Sequence, residues 1–401
     1  MSNSRIPRWV SLLILGVGLL MVAIPGFWLY LTLTATKLHP DPGKIVSTSN
    51  SPPPPQWSRA VEQSRDLVRA SVTEQNLPGI SVAVGVDGKI VWAEGFGFAN
   101  LEDSSPVTLD HRFRIGTVSI PLTSAGIGLL LEEGRIKLDD EIQMYVPEFG
   151  VPHWPATIRQ VMGNIGGLKG EDPDEGVLTS SHCEHPTDAL ALFAKQPLSK
   201  AGGEYQYSTF GWVLLSEVVE RAANKPLTSF LEERVFRPLG MLDTVRDSDT
   251  EPVAHEATSY FPRFFARPIY GVKPLYKYHS SCYAGSSGYL STPSDLVRFG
   301  MGMNGGKLLR RDTVQLLQTP QRLASGAETG YGLGWELKTI AVDGQPVRTA
   351  GHEGEIFVGT SASLLTLPER GIAVAVTTNA SSFVGTPAVT EKIAAAFASG
   401  R

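Results

Sequence analysis

The run Phe113-Arg114-Ile115-Gly116-Thr117-Val118-Ser119-Ile120-Pro121-Leu122-Thr123 leads into the apolar Ala125-Gly126-Ile127-Gly128-Leu129-Leu130-Leu131. Apolar residues up to Ile115, a glycine and then a long uncharged stretch predict a strand end entering a buried helix. The hydroxyl of Thr117 stands at the head of that helix, and position 120 lies one turn further along the same face. Position 120 is isoleucine, which has no lone pair with which to take a proton from Thr117. Ser119, two residues after Thr117, projects from a different face and reads as structural.

Upstream of that run, Trp57 to Gln75 has helical periodicity, with apolar or small residues at Ala60, Val61, Leu67, Val68 and Val72. Ile80 to Val86 and Ile90 to Phe98 flank Asp87-Gly88-Lys89 and predict a hairpin. Gly95-Phe96-Gly97 within it lacks the third glycine and the following helix of a dinucleotide site, so it is a strand feature. Downstream, Leu122 to Glu133, Thr157 to Met162, Phe210 to Ala223 and Leu227 to Val235 read as helices separated by long loops. Ser294 to Met303 and Val314 to Leu317 read likewise. Tyr331-Gly332-Leu333-Gly334-Trp335, Val358 to Thr366 and Ile372 to Thr378 then read as strands, and Val389 to Phe397 as a closing helix. Strands at both ends with helices between predict an α/β domain, its sheet assembled from distant segments and a mostly helical lobe inserted. No internal repeat is apparent.

Of 401 residues, 42% are hydrophobic and 19% charged, a composition that excludes disorder for most of the chain and allows a sizeable core. The formal charge of -5, with Lys and Arg scattered, provides no basic field for nucleic acid. Val10 to Leu33 is almost wholly apolar, long enough to cross a bilayer, since about 20 helical residues suffice. Arg5 and Arg8 precede it and Lys37 follows. A cleaved signal would have an apolar region of about 7–15 residues and small residues at the cut. The longer run and the poor cleavage pattern around Leu33, Thr34 and Ala35 favour an uncleaved anchor, with the arginines keeping the N-terminus in the cytoplasm. Three parts are expected: residues 1–36, a cytoplasmic tip and single-pass anchor; 37–56, a Pro/Ser-rich extended spacer; and 57–401, a domain outside the cytoplasm.

The two cysteines, Cys183 and Cys282, are either bridged or free in this reading. Outside the cytoplasm they can oxidise, and bridging so long a loop stabilises by about 4–5 kcal/mol in the chain-entropy model. His182, Cys183 and His185, near the acidic residues of Glu171 to Glu175, fit no structural zinc spacing and read as loop residues. Neither a metal nor another cofactor is expected.

Two further segments align with Thr117 in order. Tyr205-Gln206-Tyr207-Ser208-Thr209-Phe210-Gly211-Trp212 is a Tyr-Ser-Thr turn before a helix, and Gly351-His352-Glu353-Gly354 precedes a strand. Shorter support comes from Phe236-Arg237-Pro238-Leu239-Gly240-Met241, from Ser287-Gly288-Tyr289-Leu290-Ser291-Thr292-Pro293-Ser294-Asp295-Leu296, and from Leu367-Pro368-Glu369-Arg370-Gly371. On these segments, the stretch from Trp57 to Phe397 resembles the serine β-lactamase and penicillin-binding-protein superfamily. Within it the chain is similar to class C β-lactamases, low-molecular-weight penicillin-binding proteins, esterases of the same fold and the mitochondrial β-lactamase-like branch. The resemblance implies an antiparallel sheet flanked by helices and an S-x-x-K site degenerate here, with Thr117 for the serine and Ile120 for the lysine. It implies that Tyr207 shares proton transfer, that His352 to Gly354 stands for the Lys-Thr-Gly strand that helps hold an oxyanion, and that Thr209 and Gly354 touch substrate. By the same analogy Cys282-Tyr283-Ala284-Gly285-Ser286-Ser287-Gly288 enters a site-lining strand, which would put Cys282 near the cleft. Gly163-Asn164-Ile165-Gly166-Gly167-Leu168 replaces a more polar loop of many relatives.

Without the lysine, Tyr207 lacks a neighbouring cation and is expected to stay protonated at neutral pH. Loss of a dedicated base typically costs a factor of about 10²–10⁴. The leading expectation is weakened or lost acyl transfer, with a cleft retained for peptidoglycan-like or peptide ligands. The alternatives are an active esterase or peptidase using Thr117 with His352 or Tyr207 as an improvised base, and a non-catalytic scaffold.

Overall fold

A computed structural model describes residues 8–149, 155–168, 170, 178, 181–194, 203–248, 250–264, 267–275, 279–356, 359–381 and 386–399. Arg5, the acidic stretch Glu171 to Glu175 and Val358, all used above, lie outside these residues.

Helix α1, Arg8–Leu33, runs unbroken through Pro25. Its portion Leu13–Leu33, 21 residues with a mean hydropathy of 2.1, is long and apolar enough to span a membrane. Residues 37–56 differ from the expected spacer, because they are docked along the domain. His39 is buried, its Nε2 lies 3.0 Å from the Pro78 carbonyl, and its ring stacks on Phe98. Ile45 enters the core, and β1, Ser47–Thr48, pairs with the edge of the sheet. The segment needs few apolar residues to dock, because an edge strand offers backbone hydrogen bonds to any sequence.

Helix α2, Ser58–Gln75, ends at Asn76, which takes the left-handed conformation that closes a helix. The expected hairpin follows as β2, Gly79–Val86, and β3, Lys89–Asn100. β4, Ser105–Pro106, and β5, Phe113–Arg114, lead through a 3-10 turn at Gly116–Val118 into α3, Ser119–Glu132. The inserted lobe holds α4, Ile158–Met162, α5, Pro186–Phe193, α6, Thr209–Ala223, and α7, Leu227–Leu231. A π-helical turn, Glu232–Phe236, and α8, Arg237–Leu239, extend α7. Short strands β6, Val245–Arg246, β7, Tyr260–Pro262, and β8, Val272–Pro274, precede α9, Ala284–Ser287, and β9, Tyr289–Ser291. α10, Pro293–Asn304, and α11, Arg311–Leu317, return the chain to the sheet. β10, Glu336–Val342, β11, Gln345–Ile356, β12, Thr360–Leu367, β13, Ile372–Thr378, and α12, Thr386–Ala398, complete it.

The main sheet is antiparallel in the order β1-β3-β2-β13-β12-β11-β10, with β4 on the flank of β3. Side chains alternate across it, as the pleat requires. Ile80, Val82 and Val84 of β2 and Ile372, Val374 and Val376 of β13 face one core with α2 and α12. Ala83, Ala373 and Ala375 face the larger core, which contains α3, α6, α10 and the lobe.

Tyr331 to Trp335 is not the expected strand. Gly334 has φ +91 and lies where a Cβ would come within 2.7 Å of the Trp212 ring and 2.8 Å of Ser124 Cβ. The chain turns there to pass between two core side chains, and Tyr331 makes only an isolated bridge to Glu336. Cys183 and Cys282 form a disulfide across 99 residues of sequence, which withdraws Cys183 from any ligand set with His182 and His185. Among the described residues no group of three or more His, Cys, Asp or Glu is placed to hold a metal.

Candidate functional site

Thr117 lies in the 3-10 turn where β5 gives way to α3, and β11 runs directly against that turn. The contact is close because residue 354 is glycine. A Cβ there would stand 2.2 Å from the Ile115 carbonyl oxygen. Any side chain at 354 would push β11 off the Thr117 turn. Thr117 is half-buried, and its Oγ1 donates to the carbonyl oxygen of Glu353 on β11 at 2.8 Å. Ile120 is fully buried within the larger core. Ser119 is fully buried too, and its hydroxyl has no hydrogen-bond partner among the described residues.

His352, 2% exposed, makes two contacts that fix its tautomer. Its Nδ1 is 2.8 Å from the same Glu353 carbonyl, and its Nε2 is 3.0 Å from Tyr331 Oη. A carbonyl only accepts, so Nδ1 carries the proton and Nε2 accepts from the Tyr331 hydroxyl. Burial lowers the His352 pKa, and the nearby Glu336 carboxylate and the Glu353 carbonyl only partly oppose it. The imidazole is therefore neutral near pH 7, with its one lone pair committed to Tyr331.

Tyr207 comes from the turn before α6, where Ser208 caps the helix by accepting from Gly211 N at 3.0 Å. Its hydroxyl is shut off from solvent and finds no acceptor at hydrogen-bonding geometry among the described residues. Burial drives the Tyr207 pKa far above the ordinary phenol range, and proximity to Thr117 opposes this only in part. Thr117 gives its own hydroxyl proton to the Glu353 carbonyl. Thr209, the first residue of α6, is half-buried.

Three contributors to this centre were missed from sequence. Tyr331 was read as a strand residue, yet its buried hydroxyl holds His352, and its ring packs edge-on against His352 and Tyr207. Asn164 stands in a loop whose sequence shows a loss of polarity. In the left-handed conformation at φ 56, its side-chain oxygen accepts from Ser208 N at 3.1 Å and its carbonyl from Gln206 N at 2.8 Å, so it clamps the Tyr207 turn from both sides. Its Nδ2 is buried without an acceptor among the described residues. Glu336 on β10 accepts from Glu353 N at 3.3 Å and pairs with Lys338 at 3.2 Å. Lys338 also pairs with the Glu353 carboxylate. Burial disfavours the charge on Lys338, but these carboxylates outweigh it and raise its pKa, so this amine is no base at neutral pH. The signal for Asn164 was its Gly-Asn-Ile-Gly-Gly setting, which favours a left-handed turn.

The Cys282 segment leads, as expected, into a strand beside the site: β9 pairs with β5. α9 in between is fastened to the site helices, with Thr123 Oγ1 donating to Gly285 O at 2.8 Å and Gly285 N to Ser216 Oγ at 3.0 Å.

An antiparallel sheet backed by two helices, an inserted helical lobe, and a hydroxyl at the head of a buried helix between a Tyr-Ser turn and a facing strand define the β-lactamase and penicillin-binding-protein class. More particularly, residues 64–397 match the family model described as Beta-lactamase, and the chain belongs to that family. The serine beta-lactamase-like protein LACTB, mitochondrial, of Mus musculus is 27% identical over 90% of this chain and 85% of its own length. The human protein of that name is 28% identical over 85% of this chain and 80% of its own. Penicillin-binding protein 4* of Bacillus subtilis is 26% identical over 68% of this chain and 62% of its own. Two solved structures share the fold. The octameric penicillin-binding protein homologue from Pyrococcus abyssi has a TM-score of 0.70 at 22% identity, covering 85% of this chain and 78% of that one. The D-amino acid amidase from Ochrobactrum anthropi SV3 has a TM-score of 0.69 at 21% identity, covering 84% and 97%.

Proposed function

We propose that this β-lactamase-family chain is a membrane-anchored protein with weakened or lost acyl transfer, whose site binds peptide or peptidoglycan-like ligands without efficient turnover. One observation carries the proposal: the Thr117 proton is donated to a carbonyl oxygen, while the imidazole lone pair of His352 beside it accepts from Tyr331. Nucleophilic catalysis needs a base within reach of the nucleophile's proton. Ile120 offers none, Lys338 is held charged, and Tyr207 is held protonated.

Ligand binding is supported by two buried donors, Tyr207 Oη and Asn164 Nδ2, that find no acceptor at hydrogen-bonding geometry among the described residues. Buried polar groups are nearly always paired, and a peptide backbone supplies the carbonyl oxygens that would pair these. The topology belongs to the same proposal: α1 anchors the chain, and the domain lies outside the cytoplasm, where a disulfide such as Cys183–Cys282 persists. An acyl-D-Ala-D-Ala peptide is the probe, with thermal unfolding of the full chain as readout. Binding without hydrolysis, weakened about five-fold in Tyr207→Phe by the loss of one hydrogen bond, is the expected result. Absence of any shift across a muropeptide panel would favour the scaffold reading and count against this one.

A second reading, slow ester or peptide hydrolysis at Thr117, is favoured by the Tyr207 hydroxyl, which stands close to Thr117 as a proton donor for a leaving group. Turnover of nitrophenyl esters that disappears in Thr117→Ala would establish it.

A further inference from the structure

We propose that the β7–β8 hairpin, with the described turn residues Arg263, Phe264 and Arg267 to Tyr270, forms a membrane-surface foot, seated in the headgroup layer beside α1 with its basic side chains against anionic lipid phosphates. The inference rests on α1 being a membrane anchor and concerns a surface remote in sequence from the site residues.

The depth of the hairpin follows from what it touches. Phe264 packs against Phe27 and Trp28 of α1 at ring separations of 5.1 and 5.5 Å, and Tyr270 packs against Trp28 at 5.5 Å. Phe27 and Trp28 lie six and five residues before the end of the apolar span at Leu33. At about 1.5 Å per residue they stand roughly 7–9 Å inside that end. A polar layer is on the order of 5–8 Å thick on each side of the hydrocarbon. A loop in contact with Phe27 therefore reaches through the headgroups.

The contact is fixed. Arg263 Nη1 donates to the Thr34 carbonyl at 3.1 Å, placing a cation at the C-terminus of α1, where the helix dipole favours it. Asn76, at the end of α2, joins the two segments. Its Nδ2 donates to Thr36 O at 2.9 Å and to Pro268 O at 3.1 Å, and its Oδ1 accepts from Leu38 N at 2.7 Å. Anchor, hairpin turn and domain thus meet at one amide.

The outer face of the hairpin has the composition of an interface. Tyr260 and Pro262 are buried, so Phe261 between them points outward, 41% exposed and directly across from exposed Lys273. Ile269 in the connecting turn is also 41% exposed, beside buried Pro268. Ser259 to Leu275 contains Arg263, Arg267 and Lys273 and no acidic residue, in a chain whose formal charge is -5. Aromatic and aliphatic side chains interleaved with cations suit an anionic bilayer surface.

The test uses the full chain in lipid nanodiscs, in which single introduced cysteines are labelled at Phe261→Cys, Ile269→Cys and Leu20→Cys. Both native cysteines are disulfide-bonded, so each label is unique. Quenching is read with spin-labelled lipids carrying the nitroxide near the headgroup or in mid-chain. The expected result is mid-chain quenching at 20 and headgroup quenching at 261 and 269, the latter reduced at least two-fold by Arg267→Glu with Lys273→Glu in discs containing phosphatidylglycerol. Quenching at 20 with none at 261 or 269 overturns the foot and leaves the anchor standing. No quenching at 20 overturns the anchor, and the foot with it. Protection of 261 that depends on protein concentration and not on lipid would assign the surface to a second copy of the chain and overturn the proposal.

Discussion

Thr117 Oγ1 and His352 Nδ1 donate to one acceptor, the carbonyl oxygen of Glu353, each at 2.8 Å. Two groups that could have exchanged a proton are instead both donors to a third that cannot take it. The remaining imidazole nitrogen is occupied by Tyr331, and position 120 contributes packing alone. This arrangement is the ground on which weakened acyl transfer is proposed.

Restoring the missing pair is expected to restore its chemistry. In Thr117→Ser with Ile120→Lys, the new amine sits among apolar side chains, which costs stability but lowers its pKa toward that of a base. Intact-mass measurement after exposure to benzylpenicillin is expected to show one acyl adduct per chain, while near-ultraviolet circular dichroism reports whether the core survives. A folded double variant that never acylates would mean that the lysine does not reach residue 117.

Tyr331→Phe leaves the buried His352 Nε2 without its donor. Stranding a buried acceptor costs about 1–3 kcal/mol. Tyr205→Phe, at a side chain 38% exposed, is expected to change stability by no more than about 0.5 kcal/mol. Urea unfolding of the two variants side by side checks the difference; equal midpoints would mean the Tyr331–His352 bond contributes nothing.

Acid is expected to destabilise the fold through its histidines. Burial lowers the pKa of His39, His111 and His352 below the unfolded value of about 6.5. Neutral imidazole is thus preferred in the folded state, so this stability is fully present above about pH 6.5 and is lost as pH falls through the lowered folded values. Unfolding midpoints between pH 7.5 and 5 should decrease, and His352→Gln should shrink that slope. A flat profile across this interval would contradict the neutral state assigned to these buried imidazoles.

Reduction of Cys183–Cys282 opens a loop of 99 residues. The chain-entropy relation gives a loss of about 4–5 kcal/mol. Denaturation with and without a thiol reductant, compared with Cys183→Ser/Cys282→Ser, measures it; identical midpoints would place the stabilisation elsewhere.

The fold was legible in the sequence wherever one physical signal governed a segment. Asp87-Gly88-Lys89 announced the β2–β3 hairpin, and the uncharged run after Gly116 announced α3. Residues 37–56 misled because edge-strand pairing draws on the backbone, which composition does not display. Tyr331 to Trp335 misled because alternating glycines resemble a strand, while Gly334 in fact turns the chain between Trp212 and Ser124. Around Thr117, the residues Ile120, Tyr207 and His352 were legible, since each falls in a local motif. Tyr331, Asn164 and Glu336 were not, because their roles arise from contacts between segments distant in sequence.

The proposal that Thr117 lacks a base is tested most directly by intact-mass and peptide-mapping spectrometry of the unmodified full chain after incubation with benzylpenicillin and with nitrophenyl acetate. The account predicts no acyl adduct at Thr117 above the background seen in Thr117→Val. A stoichiometric adduct mapped to Thr117 and absent from Thr117→Val would contradict it.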